Sequence, residues 1–320
     1  LSVRFKTRLL KRSNLRLQTL VNIRTSEILK QQEQILDKNN ELSQQKEELM
    51  AQRDALESQN KSIHASLQYA QTIQQAILPR FEPFADIFEH FLFFRPKDVV
   101  SGDFYWTARV KSKGKRGDKI FAAVVDCTGH GVPGAFMSMI GSRLLSEIVV
   151  ESGNHNPEDI LDELNLKVNS ALNQDYNENF DGMDICLCLI EPFVNNQYLV
   201  TFAGANRPLY VLRKDEEKVQ TIKGNRKSIG GVMPDIEARF VNKKLTLSSG
   251  DMLILATDGI VDQNNVERKK FTACRFHSAI TESVDADAVT IGKYLEKSLD
   301  GFRNMAPQRD DITVLGLRLK

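Results

Sequence analysis

The sequence predicts an α+β domain built on antiparallel sheets and preceded by a long coiled-coil helix. Three observations carry that prediction. One apolar series recurs every seven residues from Val21 to Ile77, and no Pro or Gly interrupts the stretch. Beyond Pro79 the period changes to apolar alternation and short β-rich runs. Those runs come in consecutive groups with helical patterns set between them, which favours antiparallel α+β over regular βαβ alternation.

The rod comes first in the chain. Its series runs Val21, Ile28, Ile35, Leu42, Leu49, Leu56, Ile63, Ala70, Ile77, with Gln, Glu, Lys and Asn filling the gaps. Heptads sustained this far predict a left-handed coiled coil. With this series at d, the a positions are Thr25, Gln32, Asn39, Lys46, Arg53, Asn60 and Leu67. Polar a residues cost stability but favour an in-register parallel dimer, so a parallel homodimer is expected. The weak seam suits either a relay between two packings or an inert spacer. Leu67, Ile73 and Leu78 tighten the pattern before Pro79, which ends the helix because a residue preceding proline avoids the α conformation. The domains are therefore 1–79, a basic segment and coiled-coil helix, and 80–320, the globular domain.

In the globular part the β-rich runs are FLFFR, DFYWTARV, KIFAAVVDC, DICLCLIE, QYLVTFAG, LYVLR, DMLILATDG and DITVLGLRL. Helical patterns lie at about 133–151, 157–173 and 285–300, and Gly102-Asp103, Gly204-Ala205-Asn206 and Gly250-Asp251 mark turns.

Composition narrows the function classes. The 320 residues carry a net charge of +1, which gives no nucleic-acid signature. The distribution is uneven. Arg4, Lys6, Arg8, Lys11, Arg12, Arg16 and Arg24 precede any acidic residue, leaving 36 basic against 42 acidic residues, a net charge of −6, over the remaining 294. No run approaches the roughly 20 apolar residues that span a bilayer. The chain opens with Leu rather than Met, as a piece of a longer protein would. Its basic start reads either as the cytoplasmic flank of an upstream transmembrane sensor region or as a solvated helix end. Four cysteines with no CxxC pair argue against a disulfide framework or zinc site and fit a reducing cytoplasm. Cys186 and Cys188 alternate on one strand face, as buried apolar thiols do.

Acidic residues gather at strand ends. Asp126 ends KIFAAVVD before the turn CTGHGVPG, Asp258 ends DMLILATD, Asp310 and Asp311 precede ITVLGLRL, and Asp103 begins DFYW. A single such Asp commonly caps a turn. Several on one rim repel unless cations lie between them, and all-oxygen donors select hard ions such as Mg²⁺ or Mn²⁺.

Seven ordered blocks, SLQYAQTIQQAILP, VVSGDFYW, VVDCTGHGVPGAFMSMIG, FDGMDICLCL, FAGANRPLYVL, LILATDGIVD and RDDITVLGL, carry a resemblance over about residues 65–320. Together they resemble the PPM-type metal-dependent serine/threonine phosphatases, within them the SpoIIE-like bacterial branch. The resemblance implies two antiparallel sheets packed face to face and flanked by helices, with two Mn²⁺ or Mg²⁺ ions on one rim. It implies that Asp126 bridges both ions, that the Cys127 backbone carbonyl ligates one, and that Asp258 and Asp310 complete the ligand set of the second ion. Asp103 would bind directly or through water, and Asp311 would be supporting. An activated water would then attack phosphorus in line. Many relatives have Gly where Cys127 stands, a change that a carbonyl ligand survives. His130 lies four residues after Asp126 rather than two, so a general-acid role is not carried over and support of the turn is expected instead.

By the same resemblance the substrate is a phosphoserine or phosphothreonine on a bacterial signalling protein such as an anti-sigma-factor antagonist. The SLQYAQTIQQAILP segment would couple coil packing to Asp103 and Asp126. Two competing classes are a non-catalytic interaction module and a sensor histidine kinase. The kinase reading is weak, because His64 lies in SIHASLQ without the acidic neighbour and proline of a phosphoacceptor box. GHGVPG is followed by Ala135-Phe136, not the Lys-Ser/Thr of a P-loop.

Overall fold

The computed structural model describes residues 2–79, 84, 86–112, 117–195, 197–231, 239–282 and 286–320. Its contacts divide the chain into two compact units, Leu1–Ser66 and Leu67–Lys320. Arg80, where the sequence reading starts the globular domain, and residue 285, where it starts the last helix, lie outside the described residues.

The first unit is helix from Ser2 onward, the start of α1 (Ser2–Ile77). Its heptad side chains stand open to solvent: Val21 is 59% exposed, Leu42 68% and Ile63 57%. A stripe of this kind gains nothing from burial in a single chain. The helix stops at Ile77, two residues ahead of Pro79, as the proline rule requires.

The second unit takes in the last turns of α1 and the α+β domain. Its elements are β1 (Phe88–Arg95), β2 (Phe104–Val110), β3 (Lys119–Cys127), α2 (Gly131–Ser146), α3 (Pro157–Ala171), β4 (Gly182–Pro192), β5 (Gln197–Ala205), β6 (Leu209–Leu212), β7 (Gln220–Ile222), β8 (Ile229–Gly230), β9 (Lys243–Ser248), β10 (Met252–Ala256), α4 (Gly259–Asp262), α5 (Thr272–Thr281), α6 (Ala288–Arg303) and β11 (Ile312–Leu319). A π-helical turn, Glu147–Glu151, extends α2. One sheet runs β1-β11-β10-β6-β7; the other runs β2-β3-β4-β5-β9, with β8 against β4. All the ladders between these strands are antiparallel.

Strand alternation sorts side chains into three cores. Ile120, Ala122, Val124, Cys186, Cys188 and Ile190 from one sheet meet Leu253, Leu255, Leu315 and Leu317 from the other, so this core lies between the sheets. The opposite face of β3 and β4, with Phe121 and Leu187, packs on Leu145, Ile160 and Leu164 of α2 and α3. The outer face of β10 and β11, with Ile254 and Val314, packs on Phe276, Ile291 and Leu295 of α5 and α6. The result is helices, sheet, sheet and helices, with both paired thiols buried as the alternation predicts.

Candidate metal centre

The same alternation builds a rim. Asp126 shares its strand face with Val124 and Ala122, and Asp184 shares its face with Cys186 and Cys188, so both side chains end the inter-sheet face of their strands. The two residues lie directly opposite each other in the β3–β4 register. From the other sheet, Asp258 follows β10, and Asp310 and Asp311 precede the adjacent strand β11. The acidic ends of both sheets thus open on one edge of the sandwich.

Arg207 occupies the link from β5 to β6, where the chain crosses between sheets. Its Nη2 lies 3.1 Å from Asp126 Oδ2 and 2.9 Å from Asp184 Oδ2, and its Nη1 lies 2.8 Å from Asp258 Oδ2. Asp184 also accepts hydrogen bonds from Asn206 Nδ2 (2.9 Å) and Ser228 Oγ (2.7 Å). Burial pushes the Asp126 carboxyl up to about 8; Arg207 opposes that rise, while Asp258 and Asp184 add to it. For the guanidinium, burial works against the charged form, but Asp126, Asp258 and Asp184 outweigh it and hold its pKa above the ordinary range.

Asp103 lies deeper and is 3% exposed. Its Oδ2 accepts from Thr257 Oγ1 at 2.7 Å and Thr313 Oγ1 at 3.0 Å. Burial, then the charge of Asp126, holds its carboxyl well above the usual range, against the two threonine hydrogen bonds. Asp311 fastens the loop that leads to Asp103: its oxygens accept from the Lys97 and Gly102 amides, each at 2.7 Å. Asp310 is exposed, and its side chain accepts from the Asp311 amide at 2.9 Å. The structure therefore brings Asp126 and Asp258 together, with Asp103 beneath them. It leaves Asp310 at the edge, outside that hydrogen-bonded group.

The turn after Asp126 is packed backbone to backbone. A β-carbon on Gly134 would lie 2.7 Å from the Gly102 Cα, so TGHGVPG and VSGD approach as closely as they do only through glycine. Cys127 is buried, and the Thr128 amide donates to the Gly182 carbonyl at 2.9 Å. His130 supports the turn from outside: Nδ1 is 2.6 Å from Asp98 Oδ2 and Nε2 is 2.8 Å from Lys97 Nζ.

A further contact reaches this region from α1. Gln74, 6% exposed, donates from Nε2 to the Ser101 carbonyl at 2.6 Å and to Ser138 Oγ at 2.9 Å, and its Oε1 accepts from the Ser101 amide at 3.1 Å. Both backbone groups of a residue two before Asp103 are thereby held by one helix side chain.

Sequence reasoning missed Asp184, Arg207 and Gln74. Asp184 had a usable signal, since it shares the alternation of Cys186 and Cys188. Arg207 and Gln74 had none beyond their place in FAGANRPLYVL and SLQYAQTIQQAILP.

The donor set fits divalent cations. Three carboxyl groups touch one guanidinium at a partly buried rim, so the single positive charge is shared among three acidic groups. Crowding of that kind suits hard cations with oxygen ligands. Among the described residues, no three potential ligands are already gathered as around an ion.

A family profile described as "Stage II sporulation protein E (SpoIIE)" matches residues 116–320. The fold is similar to the SiaA-PP2C domain of Pseudomonas aeruginosa at 30% identity, with a TM-score of 0.69, covering 82% of this chain and 98% of that one. It is also similar to the PP2C phosphatase domain with a regulatory fragment of SpoIIE from Bacillus subtilis (21% identity, TM-score 0.55, 73% of this chain and 64% of that one). The RsbU and RsbW domains of a Mycobacterium tuberculosis protein share the fold at 16% identity and TM-score 0.54, covering 73% and 60%. No curated protein matches the chain.

Proposed function

Because the chain belongs to the SpoIIE family of PP2C-type serine/threonine phosphatases, we propose that it hydrolyses phosphoserine or phosphothreonine on a bacterial signalling protein at the Asp126–Asp258 rim. The observation that carries this is the meeting of Asp126, Asp184 and Asp258 around one cation at the open edge of the sandwich. Asp126, the Cys127 carbonyl, Asp258 and Asp310 would hold two Mn²⁺ or Mg²⁺ ions, with Asp103 contributing directly or through water. Bound there, the ions would supply Lewis-acid charge to the phosphoryl oxygens and make water nucleophilic at neutral pH.

The chain's own residues supply the frame. Thr257 and Thr313 fix the Asp103 carboxylate from below, and Asp311 holds the Lys97–Gly102 loop that carries it. Asn206 and Ser228 hold Asp184, which keeps Arg207 at the rim. A substrate side chain reaches the site from the open edge, so the phosphorylated residue belongs on an exposed loop. A small partner such as a phosphorylated anti-sigma-factor antagonist fits that requirement.

Regulation through α1 is part of the same reading. Heptad side chains exposed in one chain support a parallel homodimer, whose packing would reach the site through Gln74 and Ser101. Hydrolysis of p-nitrophenyl phosphate by metal-stripped protein, with and without Mn²⁺, tests the central claim. Wild type should gain activity with Mn²⁺, and Asp126→Asn should lose at least about 100-fold, the scale on which removing one strong electrostatic contribution slows catalysis. Equal rates with and without Mn²⁺ in both proteins would leave a binding module instead.

A further inference from the structure

Arg207 has contacts that a surface arginine lacks. Its side chain is only 13% exposed, and its two terminal nitrogens reach three carboxylates from three different segments of chain. Its Nε–H is buried with no acceptor among the described residues. An arginine placed for its own hydrogen bonding would not leave that donor unpaired, because a buried unpaired donor destabilises the fold. The negative charge on the rim therefore sets its position.

We propose that Arg207 is the resident counter-cation of the acidic rim, holding Asp126 and Asp258 while no metal is bound, and that divalent cations must displace it from those two carboxylates to bind. The inference rests on the metal-centre reading above. A guanidinium in contact with Asp126 and Asp258 would face any ion held by the same groups, and like charges at that distance repel. Asp184 gives the displaced guanidinium a place to stay. It is fixed independently by Asn206 Nδ2 and Ser228 Oγ, and it belongs to no predicted ligand set. Arg207 thus pivots on Asp184, between a closed arrangement on all three carboxylates and an open one on Asp184 alone. Apparent metal affinity is the intrinsic affinity reduced by the cost of that opening.

Calorimetric titration of Mn²⁺ into the metal-stripped full chain tests this in wild type, Arg207→Met and Arg207→Lys. Arg207→Met should bind Mn²⁺ at least tenfold more tightly than wild type, and its metal-free form should melt at a lower temperature. Arg207→Lys should fall between, since a compact ammonium cannot span three carboxylates. Unchanged or weaker Mn²⁺ binding in Arg207→Met overturns the proposal while leaving the metal centre intact. A wild type that binds no Mn²⁺ overturns both. Should Arg207→Met fail to fold, wild type alone decides. The side-chain Nε–H resonance of Arg207 should shift as diamagnetic Mg²⁺ saturates the protein, and a resonance unmoved by bound Mg²⁺ overturns the pivot.

Discussion

Replacing Gln74 with alanine gives a sharp test of how α1 is tied to the acidic rim. Gln74 is buried and makes three hydrogen bonds, two of them to the backbone of Ser101 and one to Ser138 Oγ. The Ser138 hydroxyl keeps its bond to the Ala135 carbonyl at 2.9 Å, so it is not orphaned. The Ser101 amide loses its side-chain partner and the Ser101 carbonyl keeps only the long Ser138 Oγ contact at 3.4 Å, and each buried unsatisfied group costs about 1–3 kcal/mol. Gln74→Ala should therefore destabilise the domain by about 2–5 kcal/mol, with the lower figure applying where water enters the vacated space. Urea unfolding reads the stability directly, and Mn²⁺ titration reads the consequence two residues on, at Asp103. Gln74→Glu makes the control, because it keeps an acceptor for the Ser101 amide but removes the donor to the carbonyl. A Gln74→Ala protein within about 0.5 kcal/mol of wild type, with unchanged Mn²⁺ affinity, would refute the link.

Further expectations follow from the rim and the rod. The folded Asp126 pKa of about 8 exceeds the unfolded value of about 3.9, so between those values the metal-free folded state holds a proton that the unfolded chain has released. Stability contributed by that proton is full at low pH and lost as pH rises through the window; the melting temperature of metal-stripped protein should fall from pH 5 to pH 8, and Asp126→Asn should flatten the slope. A β-carbon at Gly259 would collide with the Asp311 carbonyl, so Gly259→Ala should cost at least about 2 kcal/mol in urea unfolding. Insertions of one to four residues near Leu56 rotate the seam relative to Gln74. Phosphatase activity should vary with the phase of the insertion, and activity indifferent to phase would make the rod a spacer.

How far the sequence could be read depended on where each residue stands in its element. The rod was legible because an uninterrupted heptad allows few other structures, and Pro79 marks its end. Strands β1 to β6, β10 and β11 were legible from their apolar runs. Strands β7, β8 and β9 were not: two are very short, and KKLTLS offers only Leu245 and Leu247 as a brief alternation among polar residues. Helix α5, TACRFHSAIT, mixes Thr, Cys, Phe, His, Ser and Ile, none a strong helix former, and it holds together by packing Phe276 and Ile280 on the sheet. At the rim, Asp126 and Asp258 were visible because each terminates an apolar run. Asp184 precedes its run instead, and only strand parity places it opposite Asp126. Gln74 is one of several glutamines on a polar helix, and nothing in its neighbours distinguishes the buried one.

These contacts join the last turn of α1 to the acidic rim within the second unit. Gln74 fixes the backbone of Ser101; Gly102 is fixed from the other side by Asp311, which adjoins Asp310; Asp103 between them and the rim is held by Thr257, the neighbour of Asp258. Each link joins residues far apart in sequence at short range. Burial raises the Asp103 pKa and the nearby charge of Asp126 raises it further, so displacing either carboxylate changes the charge that the other must tolerate. On the proposed metal-centre reading, movement at Gln74 would change the electrostatic demand at Asp103 and Asp126, the coupling that control through α1 would use.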